Sequence, residues 1–144
     1  MISVESLQRL ISHDAAFTKA YEFVVRAAGE GTCTLEVPHL PHFERPGGIA
    51  AGQVFVTAAD VAMWLAIKTL RGLDDTSVTT HMQTEFLKAA RGEGFVCTAK
   101  VLKLGKRKTF GTAECVSASG DLLAYHTLTY VIPTGDRAQG TGDR

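Results

Sequence analysis

One stretch constrains this chain more than any other: Gly52 to Leu70, GQVFVTAADVAMWLAIKTL. Val54, Phe55, Val56, Ala58, Ala59, Val61, Ala62, Met63, Leu65, Ala66 and Ile67 leave no broad polar face. A helix that is apolar on every side belongs inside a core or a membrane. Yet a carboxylate, Asp60, stands at its centre. Gln53, Thr57, Asp60, Trp64 and Lys68 follow at spacings that stack them along one stripe of a helix. The reading is a buried core helix with a narrow functional seam. Asp60 divides the apolar run below the ~18 residues a spanning helix needs, so no membrane role is expected.

The flanking sequence says what surrounds that helix. Residues 3–13 predict a short amphipathic helix, with Ser3 as N-cap and Val4, Leu7, Leu10 and Ile11 on one face. Residues 14–19 read as a connection. Residues 21–27 and 32–37 read as strands, joined by the turn signal Gly29-Glu30-Gly31. In the second, Cys33, Leu35 and Val37 alternate with Thr32, Thr34 and Glu36, as one buried face requires. PHLPHFERPGG, residues 38–48, reads as a loop leading into the helix, and residues 71–75 as the loop that ends it. Strands are then predicted over 76–88, 95–104, 108–118 and 122–132, with turns at 89–94, 105–107 and 119–121. Strict alternation in the first of these places Thr79 and His81 on one face. One apolar helix with this many strands packs economically as an α+β domain, an antiparallel sheet bent round the helix. Residues 1–133 read as a single domain, and residues 134–144 as a small, polar, disordered tail.

Fifteen basic and 15 acidic residues give a formal net charge of zero, which argues against a general nucleic-acid binder and mildly favours self-association. Cys33, Cys97 and Cys115 are far apart, with no CxxC pair, and read as free thiols of a reducing compartment. The N-terminus lacks a basic segment followed by an apolar run, so a cytoplasmic protein is expected. His39, His42 and His81 show no ligand spacing, and no metal is expected.

The residues Pro46-Gly47-Gly48, then Gly52 to Asp60, then Val78 to Leu87, then Leu102 to Arg107, resemble in order and spacing the hotdog-fold acyl-CoA thioesterases of the phenylacetic-acid-degradation type. The resemblance covers about residues 35–133. It implies a long central helix wrapped by a curved antiparallel β-sheet. It also implies a homo-oligomer, a dimer or a dimer of dimers, with sites between protomers. The family's usual His-Gly-Gly helix start aligns with Ala51-Gly52-Gln53, where only the middle glycine is kept. Arg45 stands where the family often has an asparagine. These departures match a subgroup lacking the triplet.

The implied activity is hydrolysis of an acyl-CoA thioester to free acid and CoA. No cofactor is required, since coenzyme A is part of the substrate. Asp60 would activate water or attack the carbonyl. The helix N-terminal amides near Gly52 and Gln53 would hold the oxyanion, and Thr79 would help to place water or carboxylate. Thr57, one turn before Asp60, reads either as a donor to that carboxylate or as a cap on its own turn. Arg45, Lys88, Lys106 and Arg107 are candidate cations for the phosphates of CoA. Structural roles compete with each assignment: an Asp bonded to a neighbouring backbone, an ordinary strand Thr, solvated lysines. Two further readings stand beside hydrolysis. One is an acyl-CoA-binding hotdog protein without turnover. The other is a hotdog dehydratase, disfavoured because no His follows Asp60 at matching distance.

Overall fold

A computed structural model describes residues 1–134. The expected tail lies outside the described residues except at its first position.

Helix α1 spans Val4–Arg9, and its cap is the predicted one: the Ser3 hydroxyl accepts from the Ser6 N–H at 3.1 Å. The α-helix is shorter than expected, because Leu10–Asp14 widens into a π turn that still seats Ile11 in the core. The expected connection at 14–19 largely winds into a 3-10 segment, Ala16–Tyr21. Strands β1 (Val24–Gly29) and β2 (Thr32–Val37) pair antiparallel. The turn between them places Glu30 and Gly31 at φ 49° and 86°, and Gly31 adopts that conformation without a Cβ penalty. The β2 alternation holds: Cys33, Leu35 and Val37 are buried and their neighbours are not.

The Pro-rich loop has more structure than its composition implies. Pro41–Phe43 makes a 3-10 turn, and β3 (Glu44–Arg45) pairs with β4 (Ile49–Ala50) as a small hairpin. Helix α2 then runs Gly52–Arg71. Among the described residues α2 alone is long and apolar enough to cross a membrane, but here it contacts β1, β2 and all four later strands of the sheet. Ala58, Ala59, Ala62 and Ala66 are wholly buried, and their small side chains let helix and sheet backbones approach closely. Met63 rests on Gly111, where a Cβ would fall 2.5 Å from its terminal methyl carbon and 2.4 Å from the Lys100 carbonyl oxygen.

The four later strands are β5 (Val78–Phe86), β6 (Phe95–Leu104), β7 (Lys108–Ser117) and β8 (Leu122–Val131). The sheet is six-stranded, ordered β1-β2-β6-β7-β8-β5. Strands β6, β7 and β8 form a meander, whereas β5 is an edge strand paired with β8. Residues 87–94 are therefore a crossover rather than a hairpin turn. The crossover passes the small hairpin, where the Ala50 N–H donates to the Ala90 carbonyl at 3.0 Å.

The two edges differ. At β1, the Gln8 side chain accepts from the Val25 N–H at 2.6 Å and donates to the Phe23 carbonyl at 3.1 Å, so α1 covers the edge with a side-chain amide. Strand β5 has pairing on one side only. His126, fully buried on β8, ties these strands from within: Nδ1 lies 2.8 Å from the Thr84 hydroxyl and Nε2 lies 3.6 Å from Cys115 Sγ. All three cysteines are free and buried, and burial pushes the Cys33 thiol up to about 12.

Candidate active site

The polar stripe of α2 is present, but its members do separate jobs. Lys68 is not part of a seam: it is 3% exposed, and its ammonium donates to the carbonyls of Leu73 and Asp75 at 2.9 and 3.0 Å. It thereby holds the loop between α2 and β5. Burial lowers its pKa, against the opposing pull of Asp75 and Asp74. The Thr57 hydroxyl donates to the Tyr21 phenol at 3.3 Å and not to the Asp60 carboxylate, because it faces the aromatic group of Tyr21, Phe23 and Phe43. Gln53 is exposed on the first turn.

Asp60 is partly buried and fully engaged on one oxygen. Its Oδ1 accepts from the Thr79 hydroxyl at 2.7 Å and from the Tyr130 hydroxyl at 2.6 Å. Tyr130 Oη also lies 2.8 Å from the Asp60 main-chain carbonyl oxygen. Thr79 and Tyr130 are register partners across β5 and β8, so the sheet presents both hydroxyls at one height against the helix. A register shift between Thr79 and His81 makes this possible. The extra residue reverses the alternation, so His81, opposite Thr129, does not share the face of Thr79. Tyr130 itself is 3% exposed. Burial, then the Asp60 charge, holds its phenol well above the usual tyrosine range, so it is a proton donor to the carboxylate. Alternation along 122–132 could have marked Tyr130 as inward-facing, but no one-strand pattern shows that it meets Asp60. Phe17, Trp64 and Val78 wall the open cleft beside the carboxylate, whose volume is about 260 Å³.

A second cleft, of about 330 Å³, lies at the N-terminus of α2 and contains Arg45, Gly52, Phe86 and Lys88. No side chain caps this helix, since Ala51 occupies the N-cap. The ring of Phe86 covers Gly52, lying 3.1 Å from where a Cβ would stand. Arg45 is exposed and donates to the neighbouring Pro46 carbonyl at 3.2 Å. The Lys88 ammonium bonds the Asp121 carboxylate at 2.6 Å, which raises the lysine pKa and lowers that of the aspartate.

Within one chain these two clefts do not merge. Asp60 follows Gly52 by eight residues, roughly 12 Å along the axis at ~1.5 Å per residue. The remaining candidate cations sit elsewhere again. Lys106 and Arg107 are exposed in the β6–β7 turn, with Arg107 donating to the Ile132 carbonyl at 2.6 Å. Arg71, in the last turn of α2, reaches the same turn through the Gly105 carbonyl at 2.6 Å. That turn is thus at the opposite end of α2 from Lys88. Among the described residues no cluster of His, Cys, Asp and Glu is arranged to hold a metal ion.

A protein of Saccharolobus solfataricus that carries an esterase name is 29% identical over 93 residues, 65% of this chain and 66% of that protein's length. Zebrafish thioesterase superfamily member 2 superposes with a TM-score of 0.80 at 23% identity, over 92% of this chain and 100% of the other. The Escherichia coli PaaI protein of the phenylacetic acid degradation operon superposes with a TM-score of 0.78 at 17% identity, over 91% and 96% of the two chains. At such identities these structures establish the fold, a hotdog. The family model of the thioesterase superfamily matches residues 47–124, more than half the chain and a span that includes Gly52, Asp60, Thr79 and Lys88, and this chain therefore belongs to the thioesterase superfamily.

Proposed function

We propose that the chain hydrolyses an acyl-CoA thioester, with Asp60 as the reacting carboxylate in a site completed by a second copy of the chain. The observation that carries this reading is the paired donation of Thr79 and Tyr130 to Asp60 at the mouth of an apolar cleft. A carboxylate so held is ready to accept a proton from water as the water oxygen bonds to the thioester carbon. The carbon–sulfur bond then breaks, and the proton passes to the departing thiolate. Water and thioester become acid and thiol with nothing else consumed.

The developing oxyanion needs donors that Asp60's own surroundings do not offer. The uncapped amides at Gly52 and Gln53 are suited to it, at the positive end of the helix dipole. Strand β5 runs from Thr79, in the first cleft, to Phe86, in the second. Two β5 strands pairing antiparallel about a two-fold axis near Met82 and Gln83 would set Thr79 of one protomer opposite Phe86 of the other. The Asp60 cleft of each would then meet the helix N-terminus of its partner. Arg45 and Lys88 from one chain and Lys106 and Arg107 from the other are the cations for the CoA phosphates in that arrangement.

Release of free thiol from a panel of short, medium and aromatic acyl-CoAs tests the reading. Turnover by the wild type and a loss of about 100-fold or more in Asp60→Asn, with melting temperature retained, is the expected result. Phe86 over Gly52 favours one competing reading, binding without hydrolysis. CoA binding with no turnover of any thioester by the wild type would establish that alternative.

A further inference from the structure

The two carboxylate oxygens of Asp60 have different surroundings. Oδ1 accepts from two hydroxyls, Thr79 at 2.7 Å and Tyr130 at 2.6 Å. Two donors satisfy both lone-pair directions of one carboxylate oxygen. Among the described residues no hydrogen-bond donor reaches Oδ2. The Tyr130 oxygen also lies 2.8 Å from the Asp60 main-chain carbonyl, so a single phenol touches the side chain and the backbone of the same residue. That double contact leaves the carboxylate little freedom to turn about its Cα–Cβ bond. Tyr130 is in turn fixed by burial on β8 and by register with Thr79 on β5.

Resting on the proposed hydrolysis, we infer that Tyr130 is a positioning residue which, together with Thr79, immobilises Oδ1 and leaves Oδ2 as the oxygen that reacts. A carboxylate free to rotate would present either oxygen over a range of directions. One anchored through Oδ1 presents Oδ2 alone, in one direction, before substrate arrives. The gain is orientational, so it belongs to the chemical step and not to substrate affinity. Each donor alone restrains Oδ1 only in part. Losing both releases it, so the two residues are coupled.

The test is kcat and KM for the best-turned-over acyl-CoA in wild type, Tyr130→Phe, Thr79→Val, Thr79→Ser and the Tyr130→Phe/Thr79→Val double variant. Tyr130→Phe and Thr79→Val should each lower kcat about 10-fold with KM changed less than ~3-fold, and Thr79→Ser should rescue the loss seen in Thr79→Val. The double variant should lose more than the product of the single losses, on the order of 1,000-fold. A role confined to packing would not split kcat from KM in this way. Wild-type kcat in Tyr130→Phe, with Asp60→Asn inactive, would overturn the inference and leave the hydrolytic reading standing. If Tyr130→Phe does not fold, the exposed Thr79 decides: equal kcat in Thr79→Val and Thr79→Ser would overturn the anchoring of Oδ1. Absence of wild-type turnover would overturn hydrolysis and this inference together.

Discussion

Asp60 is a charged group placed among apolar neighbours, and the fold meets its cost with two hydroxyls and a partly open cleft. Its position was legible in the sequence because a carboxylate in an otherwise apolar helix stands out. Tyr130 was not, since its role depends on a neighbour 70 residues away. Thr57 misled for the opposite reason: spacing of one turn puts it near Asp60 in sequence, yet Tyr21 lies closer to its hydroxyl. The Tyr130 phenol also predicts a pH dependence. Its folded pKa lies above the ordinary 10.0, through burial first and Asp60 second. The stability linked to it is therefore complete below pH 10 and is lost as pH rises above it, when the unfolded chain ionises and the folded one does not. Urea denaturation of the wild type should fall in midpoint more steeply above pH 10 than that of Tyr130→Phe. Parallel curves would remove this linkage.

At the scale of elements, α2 was legible from a long run with no broad polar face, and β2 from its alternation. The helix ends where the sequence places its glycines: Gly72, at φ 109°, donates its N–H to the Lys68 carbonyl at 2.8 Å and stops the helix. The β5 bulge was not legible, because an unbroken alternation of residues gives no sign of where pairing slips. That slip turns His81 away from the face on which Thr79 meets Asp60, so one irregular pair takes the histidine off the cleft. Strand order was equally hidden, since β5 pairs with the last strand of the sheet and not with the next in sequence. The edges carry their own prediction. Gln8 meets two main-chain groups at the β1 edge, and Gln8→Ala should cost about 1–2 kcal/mol in chemical denaturation. A change below ~0.3 kcal/mol would mean that water replaces the amide without loss.

For the whole molecule, the proposed site turns on two separate clefts of one protomer, with Asp60, Thr79 and Tyr130 in one and Gly52, Arg45 and Lys88 in the other. Pairing through the uncovered edge of β5 would join them and remove that edge from solvent. Mixing two defective chains tests this most directly. Asp60→Asn removes the carboxylate, and Gly52→Pro removes one amide at the first helical position, where the backbone tolerates proline and the exposed Phe86 ring gives way to the added carbons. Ala51 before it is already extended, with φ −66° and ψ 147°, as a residue preceding proline must be. Each variant alone should be nearly inactive towards acyl-CoA. Unfolded and refolded together, they form mixed dimers in which one of the two sites is wholly native. The account predicts recovery of about one quarter of wild-type activity, since half the dimers are mixed and half their sites are intact. A mixture that forms dimers but stays as inactive as its parts would contradict a site shared between protomers.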